Sequence, residues 1–435
     1  MKRGKPKKIK NYKYSLERIM YDKHYNVIIV GAGAAGTSVA NDLSKRDPSL
    51  SIAVIEPSTQ HYYQPSFTLI GGGVFKFKNA IREQSELLPS SVTWIKEFVT
   101  DFLPEENSVI IAGSKIFEYD FLVVCPGLQI DYHKIKGLRE TLGQNNVCCN
   151  YSPKHVEYTW QTVQKIKSGK AIFTQPPMPI KCAGAPQKAM YLATDYFRRN
   201  KVLHNINTEF YNAGPAIFGV PFFAKALEKV IQDYGIKSNY NINLIEIDGP
   251  AKIAVFETKD SDGNIQKINK SFDMIHVVPP QSSPDFIKNS PLSDDNGWLD
   301  VHPESLQHKI YNNIFGLGDV IGTPNAKTAA AVRKQVPIVV DNILLIMNKS
   351  SVENRYKGYG SCPLTTSRST VILAEFSYGG EVTPSFPFLN PRKNRYAWWL
   401  VKRYGLPWLY WKIMLKGRRI DLPSKAKYAS RFLDK

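Results

Sequence analysis

Acid is scarce in this chain. Its 435 residues include 57 Lys or Arg against 38 Asp or Glu, a net charge of +19. The excess is uneven: residues 1–23 carry +7, residues 391–419 carry +9 without a single acid, and residues 420–435 carry +2, leaving +1 for 24–390. An enzyme of nucleic acid spreads cations along a groove through its body, so no nucleic-acid partner is expected and an anionic membrane surface is. Long apolar runs are also missing. None reaches the ~18 residues that span a bilayer, and the longest, Pro337–Met347, is interrupted by Asp341 and Asn342 and reads as a buried helix. No apolar segment opens the N-terminus, so a secretory signal is not expected; the basic, acid-poor start fits a mitochondrial presequence or a solvated tail. Cysteine is sparse, at Cys125, Cys148, Cys149, Cys182 and Cys362. With no secretory route these are not a disulfide framework, and any pair among them is expected to be catalytic or redox-active. No repeat, low-complexity tract or metal-ligand cluster stands out, and no metal is expected. The length itself calls for two or three domains.

What is present begins with Tyr25–Val30, a β-branched run that enters Gly31-Ala-Gly-Ala-Ala-Gly36 and a helical stretch, Thr37–Lys45. A second apolar strand, Ser51–Ile55, ends at Glu56. Gly31 permits the tight turn, Gly33 lets the backbone approach a pyrophosphate, and Gly36 lets helix and strand pack closely. The helix start, including Ala34 and Ala35, offers free N–H groups and a positive dipole end. Glu56 suits a ribose hydroxyl. Strand, glycine turn, helix and acid together predict a bound dinucleotide.

A second signal selects FAD. Ile314-Phe-Gly-Leu-Gly-Asp319 closes another strand and Ala326-Lys-Thr-Ala-Ala-Ala331 opens a helix. In two-domain flavoenzymes such a Gly-Asp (here Gly318-Asp319) meets the ribityl chain, and the following helix start faces the flavin, where its dipole favours negative charge. The alternative reading of Asp319 is a helix cap. A nicotinamide-reduced flavoenzyme needs a further glycine turn after the strand Ala171–Thr174. Thr174-Gln-Pro-Pro-Met-Pro-Ile-Lys-Cys-Ala-Gly184 stands there instead, and proline-rich backbone lacks the N–H groups a pyrophosphate requires. The reductant is therefore not expected to be a nicotinamide. Val92–Val99, Ser108–Ile111 and Phe117–Val124 read as a small antiparallel insertion. The helix Ala185–Arg199 separates Ala171–Thr174 from the strand Thr208–Asn212, and Asn243–Ile247, Ala251–Phe256 and Ser271–Val278 read as later strands.

Six blocks carry a family likeness: Tyr62-Tyr-Gln-Pro65 with Thr68-Leu-Ile-Gly-Gly72, Ile180-Lys-Cys-Ala-Gly-Ala-Pro-Gln-Lys188, Ala216-Ile-Phe-Gly-Val220, Gly318-Asp319 with Ala326–Ala331, Tyr359-Gly-Ser-Cys-Pro-Leu364 and Val371-Ile-Leu-Ala-Glu-Phe376. Over Tyr25–Arg419 the chain resembles sulfide:quinone oxidoreductases, particularly the branch with the mitochondrial enzyme and its bacterial relatives. The resemblance implies a redox pair, Cys182 and Cys362. Hydrosulfide would attack the oxidised pair, with Cys362 keeping a persulfide and Cys182 passing two electrons to FAD. Glutathione, sulfite or a second sulfide would take the sulfur, and ubiquinone or another quinone the electrons. It also puts Glu56, Gln64, Val99, Asp319 and Lys327 around the flavin. Lys181 and Lys188 are candidates for stabilising the Cys182 thiolate. Cys125 is read as structural, and Cys148-Cys149 as two free thiols.

The expected fold is α/β: two Rossmann-like dinucleotide-binding domains of a two-domain flavoprotein, with a C-terminal amphipathic membrane-anchoring segment. The boundaries are a basic tail at 1–23, an FAD domain at 24–140 and 301–350, a second domain without a nicotinamide motif at 141–300, and a redox-cysteine and membrane region at 351–435. In 391–419, Trp398, Trp399, Trp408 and Trp411 with nine cations have the composition of an interfacial anchor, divided by Pro407 into helices at 395–404 and 408–416. Phe376, Tyr378, Phe386 and Phe388 are candidates for a quinone pocket. The expected setting is monotopic, on a mitochondrial inner or bacterial cytoplasmic membrane. The competing readings are a type II NADH:quinone oxidoreductase and a non-catalytic flavin-bound redox sensor.

Overall fold

The computed structural model describes residues 22–420. The basic tail, but for its last two residues, and the chain beyond 420 lie outside them.

The first sheet has seven strands in the order Val92–Ile95, Ile52–Ile55, Lys23–Val30, Ile116–Val124, Ser108–Ile111, Val99–Leu103, with Ile314–Gly316 also paired to Ile116–Val124. Val27–Val30 is apolar and buried without alternation, as an interior strand with parallel neighbours on both sides is. The expected antiparallel insertion is corrected here. Val92–Ile95 runs parallel to Ile52–Ile55, and Ile116–Val124 is a central strand parallel to Lys23–Val30. Val99–Leu103 and Ser108–Ile111 form an antiparallel hairpin, and Ser108–Ile110 also pairs antiparallel with the start of Ile116–Val124. The misreading has a cause in the central strand. Its first half pairs antiparallel with Ser108–Ile110 and alternates in burial, while its last three residues pair parallel with Ile314–Gly316 and its last four are all buried.

The second sheet is parallel, ordered Val147–Cys148, Met274–His276, Gly169–Gln175, Ile206–Asn212, Lys237–Tyr240. Ala185–Arg199 lies where the sequence places it. Ser271–Val278 proves to be two pieces. Ser271 ends an antiparallel sheet formed with Ile242–Asp248 and Ile253–Lys259, whereas Met274–His276 joins the parallel one. The helix expected near Ala326 starts at Ala329, because Thr328 caps it by accepting from the Ala331 amide at 3.2 Å. Asp319 is thus not its cap.

After the hairpin Gly360–Thr365 and Val371–Phe376, the chain is helical from Tyr396 to Met414, alternating α turns with π turns at Val401–Gly405 and Tyr410–Met414. Pro407 does not divide it. Proline lacks one donor, and here it stands in the first turn after a π segment, where the backbone stays right-handed helical across the junction. The four-tryptophan anchor is corrected too. Trp398 and Trp399 are buried against Leu69, Leu192 and Val371, and Trp411 packs on the first core. The exposed stripe is Tyr396, Leu400, Val401, Tyr404 and Trp408, with Phe388 beside it. No described helix is long and apolar enough to cross a membrane.

Candidate functional site

Two cradles face each other where the sheets meet. The first is the glycine turn. Gly31 has φ +96°, and a Cβ there would lie 2.7 Å from Pro126 Cα. A Cβ on Gly36 would reach 1.8 Å from Gly31 O, so only glycine allows this turn. The helix Ala34–Arg46 has no side-chain cap, and a Cβ on Gly33 would meet nothing within 4 Å. Uncapped amides beside open space are what a pyrophosphate needs. Glu56 takes the Ala32 amide at 2.8 Å on one oxygen and the Ser58 amide at 2.8 Å on the other, keeping a lone pair on each for a ribose hydroxyl. Gly318, at φ +82°, sits between the two helix starts: its Cβ would lie 3.6 Å from Ala35 Cβ and 3.7 Å from Val332. The residues present therefore fit a dinucleotide. Burial raises the Asp319 carboxyl, opposed by Lys327 and Lys181. Lys327 donates to Asp319 O (2.7 Å) and Ile321 O (3.0 Å), and its burial holds it down at about 8. The side chain of Val99 belongs to the core. Cys125 lies under the turn, 3.6 Å from Gly31 O, and burial raises its thiol.

The second cradle is the sulfur pair. Cys182 Sγ and Cys362 Sγ lie 3.4 Å apart, both as free thiols. Cys182 adopts φ +53°, a left-handed conformation costing about 1–2 kcal/mol for a side-chain-bearing residue. Two main-chain bonds hold it there: its amide donates to Lys327 O (2.8 Å) and its carbonyl accepts from Ala185 N (2.7 Å). Cys362 points in from the hairpin opposite Ala374. Gly184 makes room for it, since a Cβ there would come 2.7 Å from Cys362 Sγ.

Lys188 Nζ is 3.0 Å from Cys182 Sγ and 3.9 Å from Cys362 Sγ. The two thiols, in hydrogen-bond contact, shift each other in opposite directions. A hydrogen bond from Cys362 lowers the Cys182 thiol well below its usual value, and Lys188 and Lys402 add to this against desolvation. The same hydrogen bond, with burial, raises the Cys362 thiol. Burial disfavours a charged Lys188, but the facing sulfurs outweigh it and lift it to about 12.

Of the two lysines named from sequence, then, only Lys188 reaches the sulfur. Lys181 donates instead to Gln64 Oε1 at 2.7 Å, bridging two sequence blocks. A third cation went unread. Lys402, 3% exposed, turns inward from the C-terminal helix, donates to Pro65 O at 3.1 Å and is held at about 8 by burial and by Lys188. Its signal was the spacing from Trp398 and Trp399, which puts it on their buried face.

The four aromatic quinone candidates do not form one group. Phe386 stacks near Trp398 (4.9 Å) and Phe388 (6.3 Å), whereas Phe376 meets Phe218 (5.8 Å) and Tyr378 meets Tyr356 (5.8 Å). Cys148 and Cys149 are free and buried, each pushed up to about 12. No His, Cys, Asp or Glu group among the described residues could hold a metal.

Residues 25–334 match the family described as pyridine nucleotide-disulphide oxidoreductase. The chain is 42% identical over 394 residues to the mitochondrial sulfide:quinone oxidoreductase of Mus musculus, covering 91% of this chain and 87% of that protein. The protein of the same name in Dictyostelium discoideum is 42% identical over 395 residues, covering 90% and 86%. The solved sulfide:quinone oxidoreductase of Aquifex aeolicus shares the fold at a TM-score of 0.73 and 18% identity, over 95% of this chain and 96% of that one.

Proposed function

Because the chain belongs to the sulfide:quinone oxidoreductases, within the pyridine nucleotide-disulphide oxidoreductase family, we propose that it oxidises hydrosulfide at Cys182 and Cys362 and delivers the electrons to a membrane quinone through FAD. The observation carrying this is the 3.4 Å sulfur pair with Lys188 on Cys182.

In the oxidised pair, hydrosulfide attacks Cys362 Sγ and the S–S bond breaks. The new sulfur stays on Cys362 as a persulfide, and Cys182 leaves as a thiolate. Lys188 holds that thiolate, and Lys402 adds a second positive charge. A small nucleophile of the glutathione, sulfite or sulfide class then takes the outer sulfur. Re-forming the Cys182–Cys362 bond releases two electrons. FAD, held by Gly31, Gly33, Ala34, Ala35, Gly36, Glu56, Gly318 and Asp319, supplies the two-electron carrier between this pair and the quinone. Gln64, Val99 and Lys327 would flank the same cofactor. Phe386 and Phe388, beside the exposed stripe, suit a quinone better than Phe376 and Tyr378.

Sulfide is expected to bleach the flavin of the purified protein within the mixing time, and NADH at least about 10³-fold more slowly, since no N–H nest serves a second pyrophosphate. Stopped-flow absorbance near 450 nm decides it. Bleaching by NADH as fast as by sulfide would move the assignment to the NADH:quinone reductases.

The membrane reading is monotopic, on an energy-transducing membrane, and the mitochondrial relatives favour the inner mitochondrial one. It now rests on Tyr396, Leu400, Val401, Tyr404 and Trp408, not on the buried tryptophans. A Leu400→Ser/Tyr404→Ser/Trp408→Ser variant is expected to bind anionic vesicles about 100-fold less, because three partly exposed apolar side chains no longer insert. Its melting temperature should hardly move. Flotation with wild-type affinity would show that this stripe does not insert.

A further inference from the structure

The C-terminal helix also reaches the first cradle. Tyr410, 3% exposed, lies with its hydroxyl 2.6 Å from Nε2 of His61, itself 3% exposed. Nδ1 of His61 faces Ala32 O at 3.2 Å and Gln84 Oε1 at 3.1 Å. Ala32 is the residue between Gly31 and Gly33 of the dinucleotide turn.

The protons of this network can be assigned. Thr37 Oγ1 donates to Ala32 O at 2.7 Å, so it accepts from Gln84 Nε2 at 3.1 Å. That orientation turns Gln84 Oε1 toward His61. Nδ1 then faces two acceptors and must carry hydrogen. Burial disfavours a charged ring, so Nε2 is a bare lone pair and Tyr410 donates to it. Every proton points one way, from Tyr410 through His61 to the carbonyl of the turn. The Ala32 amide is meanwhile held by Glu56 at 2.8 Å. Both polar atoms of that residue are thus fixed, and the uncapped amides after it are aimed by default. Tyr410 is itself wedged by ring contacts with Tyr63 (4.7 Å) and Trp411 (5.1 Å).

We infer that Tyr410 and His61 are a positioning pair for the dinucleotide turn, so that the seated C-terminal helix helps set how tightly FAD is held. This rests on the FAD reading above.

The test is release of FAD from the full-length holoenzyme, followed by recovery of flavin fluorescence, with the melting temperature of the flavin-stripped full-length protein measured alongside. Tyr410→Phe keeps the ring and removes the donor, and should raise the FAD dissociation constant about tenfold, the value of one buried hydrogen bond. The stripped protein should melt nearly as wild type does. His61→Phe should weaken FAD similarly. If the two act as a unit, the double variant should cost about as much as either single one. A wild-type dissociation constant in Tyr410→Phe overturns the inference, and so do fully additive losses in the double variant. A wild-type protein that binds no FAD would instead sink the FAD reading itself.

Discussion

Cys182→Ser is expected to lower sulfide-dependent quinone reduction by about 10³-fold or more, because the pair acts as a unit and neither sulfur works alone. Serine is nearly the size of cysteine, so folding and FAD content should survive. Its hydroxyl does not ionise near neutral pH, and Lys188 has no thiolate to hold. Cys362→Ser should cost as much for a different reason: with no second sulfur there is no disulfide for hydrosulfide to attack. The two variants part in spectroscopy. Cys362→Ser keeps a Cys182 thiolate and should show a long-wavelength charge-transfer band with oxidised flavin, which Cys182→Ser should lack. Cys125→Ser, Cys148→Ser and Cys149→Ser should stay active, since burial keeps all three protonated. Full turnover in either variant of the pair would end the disulfide mechanism.

Lys188→Met is the second large effect. Methionine fills the space of the lysine stem but brings no charge, so the Cys182 thiol should rise from its lowered value. At neutral pH the reduced protein would then hold less thiolate, and alkylation of Cys182 by iodoacetamide should slow about 10- to 100-fold, the worth of one charged hydrogen bond. The sign is fixed by the direction of the shift. The wild-type thiolate persists to lower pH, the variant's profile moves to higher pH, and the two converge in alkali. Lys402→Met should act more weakly, having no direct bond to either sulfur. Because Lys402 titrates at about 8, the wild-type profile should bend as pH rises through 8 and that lysine discharges. The bend should vanish in Lys402→Met. Superimposable profiles for wild type and Lys188→Met would remove Lys188 from the sulfur chemistry.

Gly31, Gly33, Gly36 and Glu56 were legible in the sequence because their chemistry is local: a turn, a helix start and an acid within one βαβ unit. The helix Ala185–Arg199 was legible by its own periodicity. Cys182 and Cys362 stand 180 residues apart in the chain, and only the family likeness joins them. Lys402 and Tyr410 escape because the composition of 391–419 reads as one membrane-facing surface, and His61 because its partner stands 349 residues away. A stripe of aromatic and cationic residues says that a helix is amphipathic; it does not say that the protein takes the tryptophans and one lysine for itself. The strand Ile116–Val124 escaped for a related reason, since its two halves serve different neighbours.

The helix Tyr396–Met414 bears on how such a protein can be altered. One side of it meets the bilayer under the proposed reading, while Lys402 and Tyr410 on the other side bond to Pro65 O and to His61 beside the two cradles. A helix is only about 10 Å across, so attachment and chemistry are separated by a single thickness of polypeptide. Most interfacial segments are detachable modules that can be exchanged for a lipid tail or a tag. This one is not interchangeable. Cutting it away to obtain a water-soluble form would take Lys402, Tyr410 and a wall of the core with it. Solubility has to come from repainting the outer stripe, side chain by side chain, and any natural change of attachment must pass through substitutions that leave the inner face intact.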